Sequence, residues 1–189
     1  MVSFDEQAIL DNGAYIYNQR AEIERIADEI CEKGFDSIFF TSSGGSLAMM
    51  QPFDYMVSVM SDIPVQSQVS ADFLTVGNRR IGKGTLAFMA SKSGDTKETV
   101  AAAKAAKDAG CTIVSTLGVD GSPLGELSDY GVIYKQGRPM ELVLYLLIGK
   151  ILKNRGFFDD YDRFADELVN LPAALVSVGK NADEMARAY

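Results

Sequence analysis

Five short apolar runs, at 35–40, 63–69, 85–90, 112–117 and 130–135, alternate with stretches of helical hydrophobic spacing. Strands separated by single helices at this spacing form βαβ units, and their parallel sheet must be covered by helices on both faces. The unbroken apolar character of 112–117 agrees, because a strand buried on both faces has no polar side to show. The expected fold is α/β: a flavodoxin-like three-layer sandwich, with a five-stranded parallel sheet in the order 2-1-3-4-5. In that order the winding reverses between the first and third strands. The turns that follow those two strands then open into one crevice at the carboxyl edge, where open α/β sheets take their ligands.

The helical stretches fill the intervals. Residues 5–33 read as one helix stopped by Gly34, with Gly13 as its weakest point. A second helix spans 47–60, where Met49, Met50, Met56 and Met60 are core filler. Residues 71–74 make a short helical turn, and 77–84, with Asn78, Arg79, Arg80 and Lys83, form a basic loop read as solvated surface, with contact to the variable part of a substrate as the alternative. A helix over 100–109 follows the third strand, and Ser122 and Pro123 predict a short helix over 123–128 by N-cap and N1 preference. After a connector at 136–139 come an apolar helix at 140–153, ended near Gly156, and a helical region at 159–189 with Pro172 as an interruption or restart. The division is an N-terminal helix over 1–34, a ligand-binding domain over 35–156 and a C-terminal helical segment over 157–189. Helices 5–33 and 140–153 are apolar enough to leave a face for a partner.

Two turns carry the chemistry. Residues 91–99, Ser-Lys-Ser-Gly-Asp-Thr-Lys-Glu-Thr, lie between a strand and a helix, where unpaired N–H groups and the positive end of the macrodipole receive anions. Gly94 permits a close or left-handed backbone, Ser91, Ser93, Thr96 and Thr99 bring hydroxyl groups, and Lys92 brings charge. The simpler reading is an N-cap, with Asp95 followed three residues on by Glu98; four hydroxyls around one glycine exceed what a cap requires. The second turn, 41–46, reads Thr-Ser-Ser-Gly-Gly-Ser and also leads into a helix.

Composition removes several alternatives. The net charge of −8 lacks the clustered Lys and Arg that hold nucleic acid, and the acids concentrated at 159–167 read as a solvated face. No apolar run reaches the ~20 residues of a membrane span. The first twelve residues lack the basic start of a signal peptide, so the expected location is cytoplasmic. Cys31 and Cys111 have no metal-ligand spacing and read as buried free thiols; neither a metal nor a cofactor is expected. There is no histidine, which excludes Ser-His-Asp and Cys-His machinery and leaves carboxylates, lysines and tyrosines for proton transfer. The Gly-x-Gly-x-x-Gly and Walker patterns are missing, and Lys92 precedes its glycine, against a nucleotide-binding reading.

These turns resemble those of SIS (sugar isomerase) domains. Ser91 to Thr99 is similar to the family's Ser-x-Ser-Gly-x-Thr-x-Glu-Thr phosphate loop, and Ser43-Gly44-Gly45-Ser46 to its Cys-Gly-Gly-Ser turn, with Ser43 in the place of Cys. Ser122-Pro123-Leu124 resembles a further family segment, and element order agrees over 35–153. The nearest likeness is to two-domain fructosamine-6-phosphate deglycases and the isomerase half of glucosamine-6-phosphate synthase. The resemblance implies a sugar phosphate held by Ser46, Ser91, Lys92, Ser93, Gly94 and Thr96, with Ser43, Gly44 and Gly45 in the substrate loop. It leaves Glu141, which follows Arg138-Pro139-Met140 where the family has Ser-Thr-Lys or Glu-Lys-Thr, as a weak catalytic candidate beside its simpler role of complementing a helix N-terminus. It implies isomerase or deglycase chemistry, with a non-catalytic phosphosugar sensor as the alternative. Two-domain relatives take an acid-base glutamate and a histidine from a second SIS domain, so this chain reads as the first half of such an enzyme, and a dimer or a second SIS domain is the expected partner.

Overall fold

Asp5 opens the first helix, α1 (Glu6–Tyr17), by accepting the Ala8 N–H at 2.9 Å. The computed structural model describes residues 5–135 and 139–188. α2 (Arg20–Lys33) follows after a break at Asn18 and Gln19 rather than at Gly13, which lies inside α1 against Pro172. Gln19 leaves helical geometry at ψ 3° and donates its side-chain amide to the Ile133 carbonyl at 3.0 Å, so a tertiary bond sets the break.

From there strands and helices alternate: β1 (Ser37–Ser42), α3 (Gly45–Met60), β2 (Val65–Val69), α4 (Ser70–Val76), β3 (Thr85–Ser91), α5 (Lys97–Asp108), β4 (Thr112–Leu117), α6 (Pro123–Leu127), β5 (Tyr130–Ile133) and α7 (Glu141–Asn154). α8 (Tyr161–Glu167), a 3-10 turn (Leu168–Asn170) and α9 (Leu171–Ala188) complete the chain, with Pro172 in the restarting first turn. All four strand pairings are parallel and the order is β2-β1-β3-β4-β5, the flavodoxin-like sandwich expected.

Alternate strand residues serve two cores. Ile38, Phe40, Leu86, Phe88, Val114 and Val132 face α2, α3 and α7, while Phe39, Ala87, Met89 and Ile113 face α5 and its neighbours. Phe39, Phe40, Phe53 and Phe88 are fully buried, each contributing about 1.5–3 kcal/mol. On the second face Ala102, Ala103 and Ala106 bring α5 close to the sheet. The methionines fill core as expected, Met49 and Met50 buried and Met56 and Met60 packed against them.

Two expectations change. α7 shows no free apolar face: α2 covers it along its length, α1, α3 and α8 close the remaining sides, and Leu142 to Leu144, Leu146 to Ile148, Ile151 and Leu152 are buried. Exposed apolar side chains sit instead on α3 (Tyr55), α4 (Val76) and α9 (Val178, Met185). Cys111 is buried, which pushes its thiol up to about 11, whereas Cys31 is half-buried between α2 and α7. Among the described residues no helix is long and apolar enough to cross a membrane.

The Tyr134 hydroxyl, just past β5, is buried without a hydrogen-bond partner, and burial with the neighbouring Glu141 charge pushes its pKa up to about 12. The unfolded phenol ionises near pH 10, so the neutral phenol's contribution is complete below pH 10 and is lost as pH rises to 12. Urea unfolding of Tyr134→Phe should match wild type at pH 7 within about 0.5 kcal/mol and lose about 2 kcal/mol less stability between pH 10 and 12. Parallel losses in both proteins would exclude this phenol as the alkaline trigger.

Candidate functional site

The strand ends fall in one row. Ser91 pairs with Leu117 and Leu117 with Ile133, while Phe40 opposite Phe88 carries the β1 register on to Ser43 level with Ser91. Beyond this row lie the turns 43–44, 92–96 and 118–122, all at the carboxyl edge.

Two neighbouring helices begin there and, like α4, α6 and α7, have no side-chain cap. α3 starts after Gly44 (φ 54°) and α5 after Thr96, and neither N-cap residue bonds its own first turn. The Asp95 cap of the simpler reading is not formed: Asp95 is exposed, and Thr96 is the N-cap. Both N-termini therefore keep first-turn N–H groups for something else. Because β1 and β3 are neighbours, the two positive helix ends stand side by side, and the buried Thr99 hydroxyl of α5 joins them by donating to Ser43 Oγ at 3.4 Å.

The hydroxyls divide between two tasks. Ser91, 1% exposed, accepts the Gly94 N–H at 2.9 Å and lies 3.1 Å from Thr96 Oγ1, so it braces the turn from within. Ser93 and Lys92 are exposed, and Thr96 and Ser46 half-exposed, on the open side. The structure thus brings Ser43, Gly44, Gly45 and Ser46 beside Ser91, Lys92, Ser93, Gly94 and Thr96, with Ser91 turned inward. An anion on the open side meets hydroxyls, two sets of N–H donors and one lysine.

The third turn supports the second. Gly94 has φ 73°, and a Cβ there would lie 2.1 Å from Ser122 Oγ and 2.3 Å from Ser122 Cβ. Leu124 N–H bonds Gly94 O at 2.9 Å. Ser122 occupies the N-cap position of α6, yet its hydroxyl makes no cap bond and is buried without a partner against Gly94. Sequence reasoning took Ser122 for a local cap and missed this packing; it also left Thr99 out of the site, although the hydroxyl count of the turn contained it.

Glu141 opens α7, which follows α5 with β4, α6 and β5 between them, and acts on Tyr134 through its charge. Arg138 lies outside the described residues, as does most of the connector at 136–139. The basic loop at 77–84 runs from the end of α4, where Asn78 bonds Gln66 and Gln68 of β2 at 3.2 Å each, to the start of β3 at the amino edge. Its end at β3 lies at the edge opposite the candidate site. Among the described residues no group of three or more His, Cys, Asp or Glu is placed to hold a metal.

Comparison with known proteins adds a family. Residues 33–148 match the model of the SIS domain. The isomerizing glutamine–fructose-6-phosphate aminotransferase of Thermotoga maritima is 31% identical over 158 residues, covering 77% of this chain and 26% of that protein. The fructosamine deglycase FrlB of Bacillus subtilis is 27% identical over 179 residues, covering 89% of this chain and 55% of that one. The C-terminal domain of the Francisella tularensis glucosamine-fructose-6-phosphate aminotransferase superposes with a TM-score of 0.76 at 18% identity, over 97% of this chain and 55% of that one. The chain thus spans about a quarter to a half of the length of these relatives.

Proposed function

The chain belongs to the SIS domain family, and from that premise we propose that it binds an aldose or ketose 6-phosphate by its phosphate at the N-terminus of α5. Ser93, Thr96 and the N–H groups around Gly94 hold the dianion, with Lys92 adding charge and Ser46 reaching from α3; Ser91 holds the turn in shape. The observation that carries this reading is the side-by-side start of α3 and α5 after neighbouring strands, joined by the Thr99–Ser43 bond, with Ser93 exposed and Ser46 and Thr96 half-exposed on the open side. Four or five charge-assisted hydrogen bonds at about 1.5–3 kcal/mol each, less the cost of association, give a Kd between roughly micromolar and millimolar.

In this reading residues 35–156 are the phosphosugar-binding domain, preceded in sequence by α1 and α2 and followed by the C-terminal helical segment, whose α9 packs on α1. The phosphate is the anchor that orients the reacting carbons for isomerisation or deglycation. After ring opening, a carboxylate removes the proton next to the carbonyl. Glu141 is this chain's candidate carboxylate, and a second SIS domain or a second copy of the chain supplies the rest. Binding without catalysis, as in a sensor, is the second reading, favoured by the lack of histidine.

Thermal unfolding tests the binding step. Fructose 6-phosphate at a hundred times its Kd should stabilise the chain by about 2.7 kcal/mol, which raises Tm by roughly 5–10 °C. Fructose alone should leave Tm in place. An equal shift with both sugars, or no shift with the phosphate ester, would overturn the assignment of phosphate as anchor.

A further inference from the structure

Lys135 carries the only positive φ, 57°, among the described residues other than glycine. For a lysine the left-handed region costs of order 1–3 kcal/mol and persists where surrounding structure enforces it, often at ligand sites. The residue stands two positions past β5, at the carboxyl edge of the sheet.

Its surroundings tie it to the candidate phosphate turn. A Cβ at Gly118 would lie 2.2 Å from the Lys92 carbonyl oxygen and 3.2 Å from that of Lys135, so Gly118 lets both chain segments close on one point. Gly118, just past β4, thus has the Lys92 backbone and the Lys135 backbone as its two neighbours. β5 is two strand spacings from β3, about 10 Å, which is comparable to the length of an open-chain hexose phosphate. The exposed Lys135 side chain rests with Nζ 3.9 Å from the ring centroid of Tyr15, on α1. On the same helix a Cβ at Gly13 would lie 3.6 Å from Pro139 Cδ.

From these positions we propose that Lys135 is a specificity-determining residue that binds a carboxylate at the end of the phosphosugar remote from its phosphate. This rests on the phosphate reading above. The Tyr15 ring is the resting place of the ammonium. A cation over a half-buried ring such as Tyr15 gains about 0.5–2 kcal/mol, whereas a charge-assisted hydrogen bond to a carboxylate gains about 1.5–3 kcal/mol, so an anionic ligand draws the ammonium off the ring. A neutral carbonyl end offers less and leaves the ammonium on Tyr15. The strained backbone fixes the stem of the side chain next to the phosphate turn, and the flexible four-carbon chain supplies the reach.

Calorimetric titration with fructose 6-phosphate and with 6-phosphogluconate, which carries a carboxylate at its far end, tests the assignment. In Lys135→Met the affinity for 6-phosphogluconate should fall about tenfold or more, and that for fructose 6-phosphate by less than about threefold. Lys135→Gly removes the ammonium and relieves the backbone, so it should unfold at higher urea than wild type while losing 6-phosphogluconate by the same factor. Equal losses for both ligands, or no loss for either, would overturn the role of Lys135 and leave the phosphate site standing. Failure of fructose 6-phosphate to bind wild type would remove the phosphate site and this inference with it.

Discussion

Gly94→Ala should destabilise the chain by about 2–5 kcal/mol and abolish phosphosugar binding together. Two costs add. The left-handed φ of 73° costs an alanine of order 1–3 kcal/mol, and the new Cβ would sit 2.1 Å from Ser122 Oγ and 2.3 Å from Ser122 Cβ. Ser122 Oγ could rotate away about χ1, but its Cβ is fixed by the backbone at the start of α6, so the turn or the helix must shift by about an ångström. Any such shift moves the Gly94 N–H off Ser91 and misaligns the hydroxyls that face the ligand. Introducing Ser122→Gly into the Gly94→Ala protein removes both clashing atoms. In urea unfolding it should recover the steric part and leave a residual cost of about 1–3 kcal/mol from the dihedral. No recovery in the double variant would mean that the contact between the two turns is not what Gly94 provides.

Replacing Ser93 and Thr96 together by alanine should lower phosphosugar affinity by about a hundredfold or more, because two hydroxyls to a dianion contribute about 1.5–3 kcal/mol each. The stability loss should be small. Ser93 is exposed, and Thr96 gives up only its contact to Ser91 at 3.1 Å, a net of about 0.5–1.5 kcal/mol. Ser91→Ala should behave differently: it leaves the buried Gly94 N–H without its acceptor, so stability and binding fall together. The contrast separates residues that touch the ligand from the one that shapes the turn.

Sheet order and the position of the crevice were legible in the sequence because they depend on spacing, and the spacing of strand and helix patterns survives small errors at their ends. The ends moved where tertiary contacts decide them. β1 begins at Ser37 rather than Phe35 because Phe35 packs under Arg155, with the guanidinium 4.7 Å from the ring, and Asp36 bonds Gly84 O from the loop before β3. Gln19 breaks the first helix through a bond to Ile133, a residue 114 positions away, which no local pattern announces. α7 reads as a helix with a spare apolar face because its neighbours come from distant parts of the chain.

The candidate site was legible as two turns and less so as an arrangement. Ser91 and Ser93 look alike in sequence, but Ser91 ends β3 and is buried where it braces the turn, whereas Ser93 lies beyond the strand in the turn itself and is exposed. Ser122 carries an ordinary cap signature, and its contact with Gly94 depends on how β4 and α6 fold over the turn. Lys135 had no signature at all, since glycine or asparagine is the residue that marks a left-handed position and a lysine there is visible only in the backbone.

Isothermal titration of fructose 6-phosphate into wild type and into the Ser93→Ala, Thr96→Ala variant tests most directly whether the α5 N-terminus is the phosphate site. Binding by wild type that falls at least about a hundredfold in a variant with the same unfolding midpoint, within about 1.5 kcal/mol, is the predicted result. Equal affinities in the two proteins would place the ligand elsewhere and leave the turn at 91–99 with no role beyond starting a helix.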